Sequence, residues 1–242
     1  MKNILFKNGK TALFAGFDLY KIKKNTGVLL PKFICNDLYL ELDKKFRVFL
    51  YDLDDFLNPD LKKIKKIDLK KKNFKVFIFF HYFGYYFEVD KIKNFCKKKK
   101  IILIEDNSHG YGSKYKGKFI GTKSNFSFSS PHKTISNINS GGNLMLKNVD
   151  HKFVKKFKRD NSLKRKFFNT FLFLKKIKFI RLLKYIYNNF ENKKVSKLLL
   201  IDSYNREKLK QINFKKLSNQ KNKNFNVIKK EFDKLKIKLH YF

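Results

Sequence analysis

Between residues 4 and 146, short apolar runs and helix-length amphipathic stretches take turns along the chain, and this alternation limits the fold more than any other feature. The runs lie at 4–6, 27–30, 46–51, 76–80, 101–104, 126–128 and 144–146, and several are apolar at nearly every position. A continuous run of this kind belongs to a strand covered on both faces. Between the runs, 11–24, 37–45, 59–67 and 89–99 have helical spacing and length. The pattern predicts an α/β fold, a mostly parallel sheet flanked by helices. Ligands of such sheets gather beyond the carboxyl ends of the strands, so the residues that follow each strand are where chemistry is expected.

From residue 150 onward the pattern is helical only. Phe173, Ile177, Ile180, Leu183, Tyr187 and Phe190 recur every three or four residues, an amphipathic stripe that predicts packing on the sheet or on a second subunit. The polar stretch 217–226 (LSNQKNKNFN) reads as a loop. The expected division is an α/β domain at 1–148 and a basic helical region at 149–242. Charge follows the same division: residues 1–146 carry net +16 and residues 147–242 net +22, of a total of +38. A charge this large invites a nucleic-acid partner. However, 53 of the 58 basic residues are Lys, and Arg, whose planar fork reads bases and phosphates, occurs five times. Lys, Asn, Phe, Ile and Tyr abound while Ala is scarce, which matches an A/T-rich coding bias. The charge is therefore read as background, with no specific nucleic-acid partner.

Hydrophobic residues make up 43% of the chain, enough for a core. Cys35 and Cys96 have no CxxC or CxxH spacing, so neither a disulfide scaffold nor a zinc site is expected. No charge-free window reaches the length of a membrane span, and the opening residues do not read as a signal peptide. A cytoplasmic protein is the expectation.

Four strand ends carry unusual residues. Asn8-Gly9-Lys10-Thr11-Ala12-Leu13 follows the first strand and opens a helix, and unpaired N–H groups at such a turn form an anion site. His81-Tyr82-Phe83-Gly84 follows the run at 76–80. Glu105 and Asp106 end the buried run at 101–104 and lead to Asn107-Ser108-His109; a buried carboxylate there needs a cationic partner. No metal-ligand pattern accompanies it. Last, Ser127, Ser129 and Ser130 precede Lys133, with Gly141-Gly142 beyond at a close backbone approach. A phosphate cradle, a strand-end Asp and a Lys beside hydroxyls are what a pyridoxal-phosphate enzyme needs.

In order along the chain these stretches resemble the sugar aminotransferases of the DegT/DnrJ/StrS group, which have the type I aspartate-aminotransferase fold. Asn8–Leu13 resembles its SGTxAL cradle, Gly27-Val28-Leu29-Leu30-Pro31 its EVIxP strand, and His81–Gly84 its HxxG. Glu105–His109 resembles its EDxA[QH] and Tyr115-Lys116-Gly117-Lys118 with Gly121 its YKGxxxG. Ser127-Phe128 through Lys133 to Gly141-Gly142 resembles its SFxxxK…GEGG. The resemblance implies pyridoxal 5'-phosphate as cofactor and a homodimer. It implies transfer of an amino group, typically from glutamate, to a keto sugar nucleotide for polysaccharide synthesis. Carried over, Lys133 would hold the cofactor as a Schiff base and Asp106 would pair with its ring nitrogen. His109 would lie by its ring oxygen, and Ser127 or Ser129 with Gly9, Lys10 and Thr11 would contact its phosphate. Phe33 is a candidate for stacking on the ring and His81 for a substrate contact. Lys133 is one residue off the family's spacing both from Ser127 and to Gly141-Gly142, whereas His132 stands at the family spacing from Ser127 but two residues off on the other side. A His at that position marks relatives that act as dehydratases, which leaves this alternative open. The other alternative is a non-catalytic member whose basic region binds a polyanion or a membrane surface.

Overall fold

The computed structural model describes residues 1–67, 73–86, 88–136, 138–161 and 197–234. Seven strands form one sheet: β1 (Lys2–Phe6), β2 (Gly27–Pro31), β3 (Arg47–Tyr51), β4 (Phe74–Phe80), β5 (Ile102–Asp106), β8 (Phe126–Ser129) and β9 (Gly142–Leu146). Their order is β1-β9-β8-β5-β4-β2-β3. Every pair from β8 to β3 is parallel, and β9 runs antiparallel to both β8 and β1. All seven runs predicted from apolar continuity are strands of this sheet. A separate hairpin, β6 (Lys114–Tyr115) and β7 (Lys118–Phe119), sits between β5 and β8 in the chain. Its two-residue turn places Lys116 at φ 48° and Gly117 at φ 75°, the left-handed pair that matches strand twist.

Alternation along the strands sends side chains into two separate cores. Val28, Leu30, Val76, Ile78, Ile104 and Phe126 meet α1 (Gly9–Leu19), α2 (Asn36–Asp43) and α5 (His151–Lys155) on one face. Leu29, Phe77, Phe79 and Leu103 meet α3 (Leu61–Lys65) and α4 (Asp90–Lys99) on the other. Burial on both faces is what continuous apolar runs require. Phe153 and Phe157 join the α1 core, so the chain beyond β9 returns to the same sheet. Residues 199–201 then run beside β1 and lead into α6 (Ser203–Lys210) and α7 (Phe214–Lys234).

The stretch 217–226, read as a loop from its polarity, lies inside α7. No Gly or Pro interrupts residues 214–234, and Lys, Gln and Leu are favourable helix residues. The N-terminal end of α7 is anchored by Phe214 against Tyr111 and Phe119. The stripe from Phe173 to Phe190 lies outside the described residues. No described helix is long and apolar enough to cross a membrane.

Candidate active site

The cleft begins where β1 gives way to α1. Asn8 adopts an extended conformation and caps the helix, its Oδ1 accepting from the Thr11 N–H and the Thr11 hydroxyl, each at 2.9 Å. The first-turn amides of Gly9 and Lys10 have no intrahelical acceptor, and both residues line the cleft. Two glycines permit the close packing here. A Cβ on Gly9 would stand 2.2 Å from Ser130 Oγ, and one on Gly142 would stand 1.9 Å from the Asn8 carbonyl oxygen. The Gly141 N–H donates to Lys7 O at 2.8 Å, which ties the start of β9 to the same turn.

Asp106 ends β5, between Phe80 of β4 and Phe128 of β8. It is buried, with Oδ1 accepting from the Ser108 N–H at 2.8 Å. Burial pushes its pKa up to about 6, against the opposing pull of the Ser108 hydrogen bonds and the charges of Lys133 and His81. The next residue back, Glu105, faces the other way. Its Oε1 accepts from the Lys123 and Ser124 N–H groups, both at 2.8 Å, and its Oε2 lies 2.7 Å from His81 Nε2. Burial opposes its ionisation, but the hydrogen bond and electrostatic pull of His81, with the Ser124 and Lys123 bonds, hold its pKa below the usual range.

Lys133 closes a short 3-10 turn (Pro131–Lys133) beyond β8, its N–H donating to Ser130 O at 2.9 Å. Two adjoining hollows of about 230 Å³ and 250 Å³ share Cys35, Asp106, Ser108 and Lys133 in their walls. The first adds Gly9, Lys10, Ser130 and His132 and is the anion end. The second adds Phe33, His81, Tyr82 and His109 and is the more aromatic end. His109 Nδ1 accepts from the Phe83 N–H at 3.3 Å, and its ring stacks on Phe83 at 6.0 Å. Burial, then the nearby Lys133 charge, lowers its pKa. Lys10 Nζ pairs with Asp37 Oδ1 at 2.8 Å at the rim.

The structure thus brings Gly9, Lys10, His81, Asp106, His109, His132 and Lys133 to one cleft. Thr11 is buried and engaged by Asn8 rather than lining it. Ser127 and Ser129 are buried and line neither hollow, and the Ser127 hydroxyl lies next to Gly121 instead. Ser108, Ser130 and Ser140 are the serines on the cleft wall, with the Ser130 and Ser108 oxygens 3.4 Å apart. Sequence reading did not single out Ser108, although its place two past a strand-end Asp, the spacing of an Asx turn, could have marked it. Ser130 is the first residue to leave the pleat of β8, a point that no local pattern marks. Among the described residues no three His, Cys, Asp or Glu side chains could hold a metal ion.

The model of the DegT/DnrJ/EryC1/StrS aminotransferase family matches residues 2–170. A UDP-4-amino-4,6-dideoxy-N-acetyl-beta-L-altrosamine transaminase of Campylobacter jejuni is 49% identical over 45 residues, 19% of this chain and 12% of that enzyme. Among solved structures, a DegT/DnrJ/EryC1/StrS aminotransferase from Brucella abortus superposes with TM-score 0.56 at 19% identity, over 64% of this chain and 43% of that one. The aminotransferase TlmJ of Streptoalloteichus hindustanus gives 0.54 at 20% identity, over 64% and 42%. The GDP-4-keto-6-deoxy-D-mannose-3-dehydratase of E. coli, solved with hydrated PLP, gives 0.51 at 19% identity, over 64% and 41%. These structures share the fold, and the chain spans about two fifths of their length. By the match over residues 2–170, more than half its length, the chain belongs to the DegT/DnrJ/EryC1/StrS aminotransferase family.

Proposed function

We propose that the cleft binds pyridoxal 5'-phosphate and serves transfer of an amino group, with glutamate as donor, to a keto sugar nucleotide. The observation that carries this reading is Asp106, a buried carboxylate facing the same hollows as a lysine and a helix N-terminus. A carboxyl with a pKa raised to about 6 by burial calls for a cationic partner, and a pyridinium nitrogen is one. The helix amides, Lys10 and Ser130 offer a phosphate the donors it needs. Residues and cofactor fit.

Bound there, the cofactor supplies an electron sink for breaking a C–H bond beside the nitrogen being transferred. Asp106 holds the ring nitrogen protonated. Gly9, Lys10 and Ser130 bind the phosphate, and His109 flanks the ring. Lys133 supplies the amine for covalent attachment and, through the same Nζ, the base that moves the proton. Lys133 lines both hollows whereas His132 lines only the anion end, which favours transamination over dehydration. The reading includes a cytoplasmic homodimer acting in polysaccharide synthesis, in which a second copy covers the exposed Phe33 and Phe83 at the cleft mouth. It also keeps the division into a cofactor-binding part at 1–148 and a basic helical part at 149–242.

Borohydride reduction of the protein incubated with cofactor tests the site. A covalent adduct on the Lys133 peptide is expected. An adduct on another lysine, or none, refutes it.

A further inference from the structure

One segment from the far end of the chain touches both sides of the anion end of the cleft without lining it. Residues 199–201 lie along β1, with Lys7 N–H donating to Leu199 O at 2.9 Å and Ile201 N–H to Leu5 O at 3.0 Å. The chain then enters α6 through Asp202, whose Oδ1 accepts from the Asn205 N–H at 3.0 Å. Asn205 is fully buried. Its side chain closes a two-way pair with Asn139: Nδ2 donates to Asn139 Oδ1 at 2.7 Å, and Oδ1 accepts from the Asn139 N–H at 3.2 Å. The adjacent Ser140 hydroxyl stands 3.0 Å from Lys7 O and 3.4 Å from Asp202 Oδ2. Ile135, Ile138, Ile201 and Leu209 pack into a small core beneath these bonds.

Asn139 and Ser140 line the anion end, and Lys7 immediately precedes the helix cap Asn8. An apolar residue at 205 could extend the Ile138 core. It could not fix where Asn139 lies, because apolar contacts lack the directionality of a paired amide. A buried amide with matched partners specifies one arrangement of the loop.

We propose that Asn205 is a positioning residue for the anion end of the cleft. Through Asn139 and Ser140 it sets the path of residues 138–141 against the start of α1. The proposal rests on the reading of this cleft as the cofactor site.

The test compares the full chain with Asn205→Ala and Asn139→Ala. Affinities for pyridoxal 5'-phosphate and for pyridoxal, which lacks the phosphate, are measured alongside hydrogen–deuterium exchange of residues 138–141. Loss of the pair should raise the Kd for the phosphate form about tenfold. Pyridoxal affinity should stay unchanged while exchange at 138–141 quickens. Unchanged affinity for the phosphate form, or equal loss for both ligands, overturns the proposal, since a merely structural role would affect the two alike. If the unaltered chain binds neither ligand, the cofactor reading falls and the exchange measurement decides alone: unaltered exchange at 138–141 refutes the positioning role. Should Asn205→Ala fail to fold, Asn139→Ala leaves the Asn205–Asp202 bonds in place and carries both measurements.

Discussion

Replacing Gly142 by Ala isolates the close approach on which the anion end is built. The added methyl would stand 1.9 Å from Asn8 O, 2.2 Å from Asn8 C and 2.7 Å from Gly9 N. These are backbone atoms that cannot swing aside like a side-chain tip. Ordinary carbon contacts need about 3.5 Å, so the start of β9 and the β1–α1 turn must part by about 1.5 Å. Parting them removes the Gly141 N–H to Lys7 O bond and loosens the Phe6–Gly142 pairing. Overpacking of this kind costs about 1–3 kcal/mol, and each lost hydrogen bond about 1 kcal/mol more. Against this, alanine restricts the unfolded chain and offsets about 0.4–1 kcal/mol. The net expectation is a loss of about 1–4 kcal/mol, read from urea unfolding of the cofactor-free chain. Gly117→Ala is the control: its φ is 75° and nothing lies within 4 Å of the added carbon. Only left-handed strain remains, about 1–2 kcal/mol. If Gly142→Ala unfolds within 0.5 kcal/mol of the parent protein, or no more easily than Gly117→Ala, the steric reasoning is wrong.

Asp106→Asn should separate cofactor binding from stability. The pKa of Asp106 is raised to about 6, so the residue favours folding below its unfolded value and that advantage is lost as pH rises through 6. The Asn variant without cofactor is therefore expected to be more stable than the parent at pH 8, by up to about 3 kcal/mol, with the difference gone near pH 4. Urea midpoints across this range read it, and a constant difference contradicts the assignment. With substrates, the same variant should lose at least about 100-fold in turnover, because the ring nitrogen loses its anionic partner. Lys133→Ala should abolish borohydride attachment while His132→Ala retains it; cofactor bound by the parent chain that borohydride does not attach would favour a dehydratase. Tyr51→Phe removes the bond from the Tyr51 hydroxyl to Ile78 O, 2.9 Å long in the core, and should cost about 1–2 kcal/mol in chemical unfolding.

The sheet was legible because β2, β4 and β5 are buried on both faces and so carry apolar residues at nearly every position. The β6–β7 hairpin was not, since strands of two residues have no period and the hairpin is made by its turn. The polar stretch in α7 misled for a related reason. An exposed helix needs no apolar stripe along its whole length, and polarity alone cannot separate it from a loop. In the site, Asp106 and Lys133 stood out by position and company. Which serine reaches the cleft depends on where β8 leaves its pleat, and a shift of one residue sends a side chain to the other face. Asn205 carried no local signal at all, since its partner Asn139 lies 66 residues away.

The same pleat explains why two adjacent carboxylates do different work. Glu105 and Asp106 have the same charge and are both buried, yet strand alternation turns them to opposite faces. Glu105 meets two backbone N–H groups and His81, and these partners satisfy it within the fold. Its contribution to stability is present above the unfolded glutamate value and is lost as pH falls through its lowered folded pKa. Asp106 meets the N–H and hydroxyl of Ser108 and otherwise opens to the cleft, so folding penalises its charge until a cation arrives. Exchanging the environments would exchange the roles. Chemistry at this strand end is set less by the acidic pair itself than by which of the two side chains the sheet turns to the cleft.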